Sequence, residues 1–151
     1  MDASQIITRC WVGSKPPFDR DLPEFDVLVL CAEEIQPERL GFLRQVVRAP
    51  IPDSALSSEE LRIALHGGRL VAQSIAEGKR VLVTCAAGLN RSALVAGLGI
   101  GLVTHQSATD IILRIRERRA PAALCNQHFC GYLQKFIGAG RKPVARPKPM
   151  S

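Results

Sequence analysis

Cys85 closes a short apolar run and opens the stretch Cys85-Ala86-Ala87-Gly88-Leu89-Asn90-Arg91-Ser92. A thiol and a guanidinium separated by five residues, in a loop between a strand and a helix, suit attack on a phosphate ester. Such a loop turns its backbone N–H groups toward an anion. Arg91 can grip two phosphate oxygens through its planar fork. Cys85 then lies beneath the phosphorus, where the positive field favours the nucleophilic thiolate.

A Cys and an Arg at this spacing are a weak signal alone in a chain with five Cys and 20 Lys and Arg residues. The surroundings strengthen it. Val81, Leu82 and Val83 read as a buried strand, Gly88 allows a backbone conformation other residues resist, and an apolar helical stretch follows Ser92. None of Cys10, Cys31, Cys125 and Cys130 has an Arg six positions on. The plain alternative for Cys85 is a buried core thiol.

The elements that must position this loop follow from the rest of the pattern. The reading is one catalytic domain over residues 1–139, then a basic, Pro-rich tail over 140–151 whose composition predicts disorder. A strand is predicted over Ile6 to Val12 and a second over Phe25 to Cys31, where Val27-Leu28-Val29-Leu30 implies burial on both faces. A short helix is predicted after Pro37 and a third strand over Val46 to Ile51. Ser57-Ser58-Glu59-Glu60 opens a helix running to Glu77, with Gly67-Gly68 suggesting close packing inside it. The strand Val81 to Thr84 feeds the phosphate loop and a thin, Gly-rich helix from Arg91 to Thr104. Ser107 with Asp110 starts another helix ending near Arg119, and Asn126 caps a last one through Phe136. Strands interleaved with helices give an α/β fold: a central, mostly parallel sheet of about four to five strands flanked by helices, phosphatase-like.

Composition narrows the function class. No apolar run is long enough to span a membrane, and the first residues lack the pattern of a secretory signal. Five free Cys without zinc-type spacing suit a reducing, cytoplasmic setting. The formal net charge of +6 would attract anionic substrates. The crowded Arg114, Arg116, Arg118 and Arg119 read more readily as a solvated basic surface than as a nucleic-acid site. His66, His105 and His128 are scattered, so neither a metal nor a cofactor is expected.

The chain resembles the dual-specificity branch of the protein-tyrosine phosphatase superfamily over nearly all of its first 138 residues. Cys85 through Ser92 is similar to the family's phosphate loop, Ile51-Pro52-Asp53-Ser54 to its general-acid loop, and Trp11-Val12-Gly13-Ser14 to an early strand and turn. Arg118-Arg119, Asn126 and Phe129 are similar to the segment that supports the site. Asp53 precedes Cys85 by 32 positions (85 − 53), which suits the family's spacing of acid and nucleophile. The resemblance implies attack by Cys85 to form a phosphocysteine. It implies oxyanion stabilisation by Arg91 and the loop from Ala86 through Ala87, Gly88, Leu89 and Asn90 to Arg91. It implies proton transfer by Asp53, and assistance to the leaving thiolate by Ser92. Independently, Asp53 ends a predicted strand upstream of the loop, a place suited to a catalytic acid; Pro-Asp-Ser is equally a turn sequence.

The chain departs from the family pattern at Thr84, where His is usual, at Asn90, which occurs in relatives acting on RNA 5′ phosphates, and at Cys125, where Pro is usual. The expected substrates are phosphorylated proteins carrying phosphotyrosine, with phosphoserine and phosphothreonine alongside, or another anionic phosphate. An RNA 5′-phosphatase and a catalytically weak phospho-ligand binding module are the alternatives.

Overall fold

A computed structural model of the chain describes residues 1–140. The basic tail expected from residue 140 therefore lies, from residue 141 on, outside the described residues. The elements run β1 (Ala3–Ile7), β2 (Cys10–Gly13), β3 (Val27–Ala32), β4 (Gln45–Ile51), α1 (Ser58–Ala76), β5 (Val81–Thr84), α2 (Arg91–Thr104), α3 (Ala108–Arg118) and α4 (Gln127–Phe136). The five strands form one sheet in the order β1-β2-β5-β3-β4. All pairings are parallel except β1 with β2.

The α/β reading holds, with two corrections. The single strand expected over Ile6 to Val12 is a hairpin. Ile7 pairs with Cys10 around Thr8-Arg9, and Arg9 takes a φ of 70°. A non-Gly residue in the left-handed region gives no sequence warning of a turn. The helix expected after Pro37 does not form. The Pro37 carbonyl accepts from Arg48, and the Gly41 amide donates to the Phe18 carbonyl. Leu40 and Phe42 are drawn instead into a core beneath the sheet, so tertiary contacts override local helical tendency.

The sheet is buried on both faces. Val27, Val29, Cys31, Val81 and Val83 join the helices in one large cluster. Their alternating neighbours Leu28, Leu30 and Leu82 join Leu22, Phe25 and Phe42 in a second. This two-sided burial is why β3 reads as a continuous apolar run.

Helix α1 begins with the expected capping box: the Glu60 amide donates to the Ser57 hydroxyl, and the Ser57 amide to the Glu60 carboxylate. Gly67 and Gly68 sit where α1 meets the sheet and α2. A Cβ on Gly68 would lie 2.7 Å from the Cβ of Leu98. Gly99 answers from α2, where a Cβ would lie 2.7 Å from Val71 and 2.8 Å from the Gly68 carbonyl. Both helices thus lack side chains where they touch, which explains the Gly-Gly pair and lets α2 lie close against α1. Gly99→Ala should therefore destabilise the fold by roughly 1 kcal/mol or more. Overpacking outweighs the gain in helix propensity. Urea unfolding of the variant beside the wild type measures this.

Candidate active site

Strands β5 and β3 end side by side, with Leu30 opposite Thr84. The loop after β5 thus emerges at the carboxyl edge of a parallel sheet, where α/β folds place their ligands. Residues 85–90 turn there into the N-terminus of α2, a fully buried helix start. The loop's carbonyls are tied outward. The Lys15 amide donates to the Ala86 carbonyl (3.1 Å), the Leu124 amide to Leu89 (2.8 Å) and the Leu94 amide to Asn90 (2.8 Å). Arg119 donates through Nη2 to Ala87 (3.2 Å) and through Nε to Gly88 (3.0 Å).

Because N–H and C=O point in opposite directions across a peptide plane, outward carbonyls leave the amide edges facing the loop's interior. Among the described residues, no amide from Ala86 to Arg91 donates to another backbone carbonyl. Gly88 makes the bend possible at φ +70°, and a Cβ there would lie 2.5 Å from the Gly13 carbonyl carbon.

Cys85 is buried at the base of this ring, and its Sγ lies 3.2 Å from the hydroxyl of the buried Ser92. Thr84, standing where the family has His, donates its hydroxyl to the Val29 carbonyl at 3.0 Å. It serves the sheet. Cys85 also borders a narrow space lined by Pro16, Phe18, Cys31 and Ile35.

Arg91 is buried, with both terminal nitrogens on the Glu34 carboxylate at 2.5 and 2.6 Å. Its Nη1 also donates to the Ile51 carbonyl at 3.4 Å. This forked bond holds Glu34 down to a pKa of about 2 and raises that of Arg91. Glu34 was not picked out from the sequence. Its signal is positional: Glu33-Glu34 follows directly on buried β3, at the sheet edge where the loop emerges.

Asp53 lies in the loop after β4. Its Oδ2 accepts from the side-chain amide of Asn90 (3.1 Å) and its Oδ1 from that of Asn126 (2.8 Å). The same loop is tied down at Leu56, whose amide donates to the Tyr132 hydroxyl at 2.8 Å. The fold therefore brings Asp53, Cys85, Arg91 and Ser92 around one loop, with Asn126 against Asp53. Arg119, expected both as support for the site and as part of a solvated basic surface, is not solvated: its side chain is buried and also grips Asp2, both oxygens at 2.7 Å. That grip lowers the Asp2 pKa to about 2. Among the described residues no group of three or more His, Cys, Asp or Glu could hold a metal ion, and no helix is long and apolar enough to cross a membrane.

No family model matches the chain, and no curated protein matches it in sequence. Solved structures do match. Tk-PTP in its active form is 27% identical, with a TM-score of 0.72 over 91% of this chain and 96% of that one. Human DUSP28 superposes with a TM-score of 0.76 at 19% identity, covering 92% of this chain and 95% of its own. DUSP15 gives 0.75 at 20% identity, over 91% and 88%. The chain has the fold of the dual-specificity phosphatases. In this fold, the β-sheet edge, the ring of amides and the Cys-Arg spacing coincide at one place.

The Glu34–Arg91 pair makes stability depend on pH. A carboxylate whose folded pKa is depressed contributes stability above its unfolded value, near 4.5, and loses it as pH falls through about 2. The stability gap between wild type and Glu34→Gln should therefore be full above about pH 4.5 and narrow steadily as pH falls toward 2. Denaturant unfolding across this range, with both proteins in parallel, checks the sign.

Proposed function

We propose that this chain is a cysteine-dependent phosphatase that hydrolyses phosphate monoesters of proteins, phosphotyrosine foremost and phosphoserine and phosphothreonine alongside it. The single observation that carries this reading is the loop from Cys85 to Arg91, with its carbonyls tied outward above a buried thiol.

In the proposed reaction the Cys85 thiolate attacks phosphorus from below. A sulfur–phosphorus bond forms while the ester oxygen–phosphorus bond breaks. The developing charge on the equatorial oxygens is met by the loop amides, by Arg91 and by the positive end of α2. Asp53 gives its proton to the leaving oxygen. It then takes one from the water that opens the phosphocysteine, and the Ser92 hydroxyl, 3.2 Å from Sγ, donates to the departing thiolate. Arg91 keeps its Nε edge for substrate while its terminal nitrogens stay anchored on Glu34.

Cys85→Ser should abolish turnover of an aryl phosphate while phosphate-ligand binding persists, because a hydroxyl is not ionised near neutral pH. Hydrolysis at an appreciable fraction of the wild-type rate would remove Cys85 as nucleophile. Arg91→Lys replaces a fork with a point charge and should cost about 10²-fold or more in kcat, read in the same assay. Activity toward phosphotyrosine, phosphoserine and phosphothreonine peptides, with an RNA 5′-triphosphate as the competing class, identifies the substrate. Faster release from the RNA than from every peptide would overturn the protein assignment.

Asp53→Asn removes the proton donor. Its cost should be larger for an alkyl phosphate, whose leaving oxygen is strongly basic, than for 4-nitrophenyl phosphate. Steady-state rates on the two substrates give the comparison.

A further inference from the structure

Asn90 is the residue immediately before α2, where an Asn side chain ordinarily accepts from the first turn of its helix. Here it makes no such bond. Its amide nitrogen donates instead to Asp53 Oδ2 at 3.1 Å, and its oxygen accepts from the Asn126 backbone amide at 3.0 Å. Asn126 completes the ring by donating from its own side chain to Asp53 Oδ1 at 2.8 Å. The Asn126 group is itself fixed, since its oxygen accepts from the His128 amide as the cap of α4 (3.1 Å). Two side chains from distant parts of the chain thus close on one carboxylate, and both its oxygens are held.

We infer that Asn90 and Asn126 are positioning residues that clamp the Asp53 carboxylate in register with the phosphate loop. The inference rests on the reading of Asp53 as the proton donor. Asn90 is bonded directly to Arg91 along the chain, so the group that grips the phosphate and the group that places the acid are neighbours on one rigid turn. A proton donor is useful only within hydrogen-bond reach of the oxygen that receives the proton. In the step served, sulfur–phosphorus bond formation accompanies loss of the ester oxygen, which takes the proton from one carboxyl oxygen of Asp53. The other oxygen remains an acceptor, so one amide of the clamp still holds the group while the proton moves. Capping is given up at α2, a sacrifice that positions the acid.

The test compares 4-nitrophenyl phosphate with phenyl phosphate, whose leaving oxygen is more basic, in Asn90→Ala, Asn126→Ser, Asp53→Asn and the Asn90→Ala/Asp53→Asn double variant. Ser keeps a capping oxygen for α4 but is too short to reproduce the amide bridge, so thermal unfolding should show Asn126→Ser folded. Both single Asn variants should lose about tenfold more kcat on phenyl phosphate than on 4-nitrophenyl phosphate. In the Asp53→Asn background, Asn90→Ala should not widen the gap between the two substrates further, because a residue acting through Asp53 has nothing left to place. Equal losses on both substrates in the Asn variants, beside an Asp53→Asn that does discriminate, overturn the clamp alone. A further widening in the double variant also overturns it. An Asp53→Asn variant that does not discriminate overturns the reading of Asp53, and the clamp with it.

Discussion

Peptide planes set the terms for everything around Cys85. A loop can present several N–H groups to one anion only if each carbonyl on the same planes finds a partner on the outside. Here the partners come from far along the chain: Lys15 after β2, Arg119 after α3 and Leu124 before α4. The loop is therefore a product of the whole fold. Strands β2, β3 and β5 bring its ends to the sheet edge, and the Gly-lined contact of α1 with α2 sets the helix that it enters.

Charge in the site follows the same economy. Two arginines carry it, and each is paired with a carboxylate. Glu34 fixes the plane of the buried Arg91, so the guanidinium is already ordered. Asp2 does the same for Arg119, whose remaining hydrogen bonds hold the loop's outer face. Arg119 ties the loop's carbonyls from outside while Arg91 rests on Glu34 at the loop's end, so the two are not interchangeable.

What could be read from the chain was what is local. Cys85 to Ser92, the strand before it, the Ser57 cap and the apolar run of β3 all announce themselves within a few residues. Asp53 stood out as a candidate through its place at the end of a strand, and it lies against Asn90 of the loop. What escaped depends on tertiary pairing. Glu34 looks like any acidic residue after a strand until Arg91 is brought against it. The link from Asp2 to Arg119 spans most of the chain. The hairpin at Thr8-Arg9 was hidden because an Arg, with no Gly or Asn, takes the left-handed turn. Asn90 drew notice for its family distribution, but its contact with Asp53 is visible only once β4, α2 and α4 are placed together.

The seat of Gly88 on the end of β2 has a consequence for how such chains diverge. A side chain at 88 would strike the backbone of Gly13, and a side chain at 13 would lie 2.7 Å from the Asp2 carbonyl. Neither obstacle is a flexible side-chain tip that could swing away. Gly88 is thus constrained by the end of β2, 75 positions upstream (88 − 13), and Gly13 in turn by the residues that open β1. A descendant that acquires a Cβ at 88 must first relocate the end of β2, and with it the Lys15 amide that ties down the loop. A side chain at 88 thus demands a new path for a distant strand as well as a new turn in the loop, so the position cannot change by a single local adjustment.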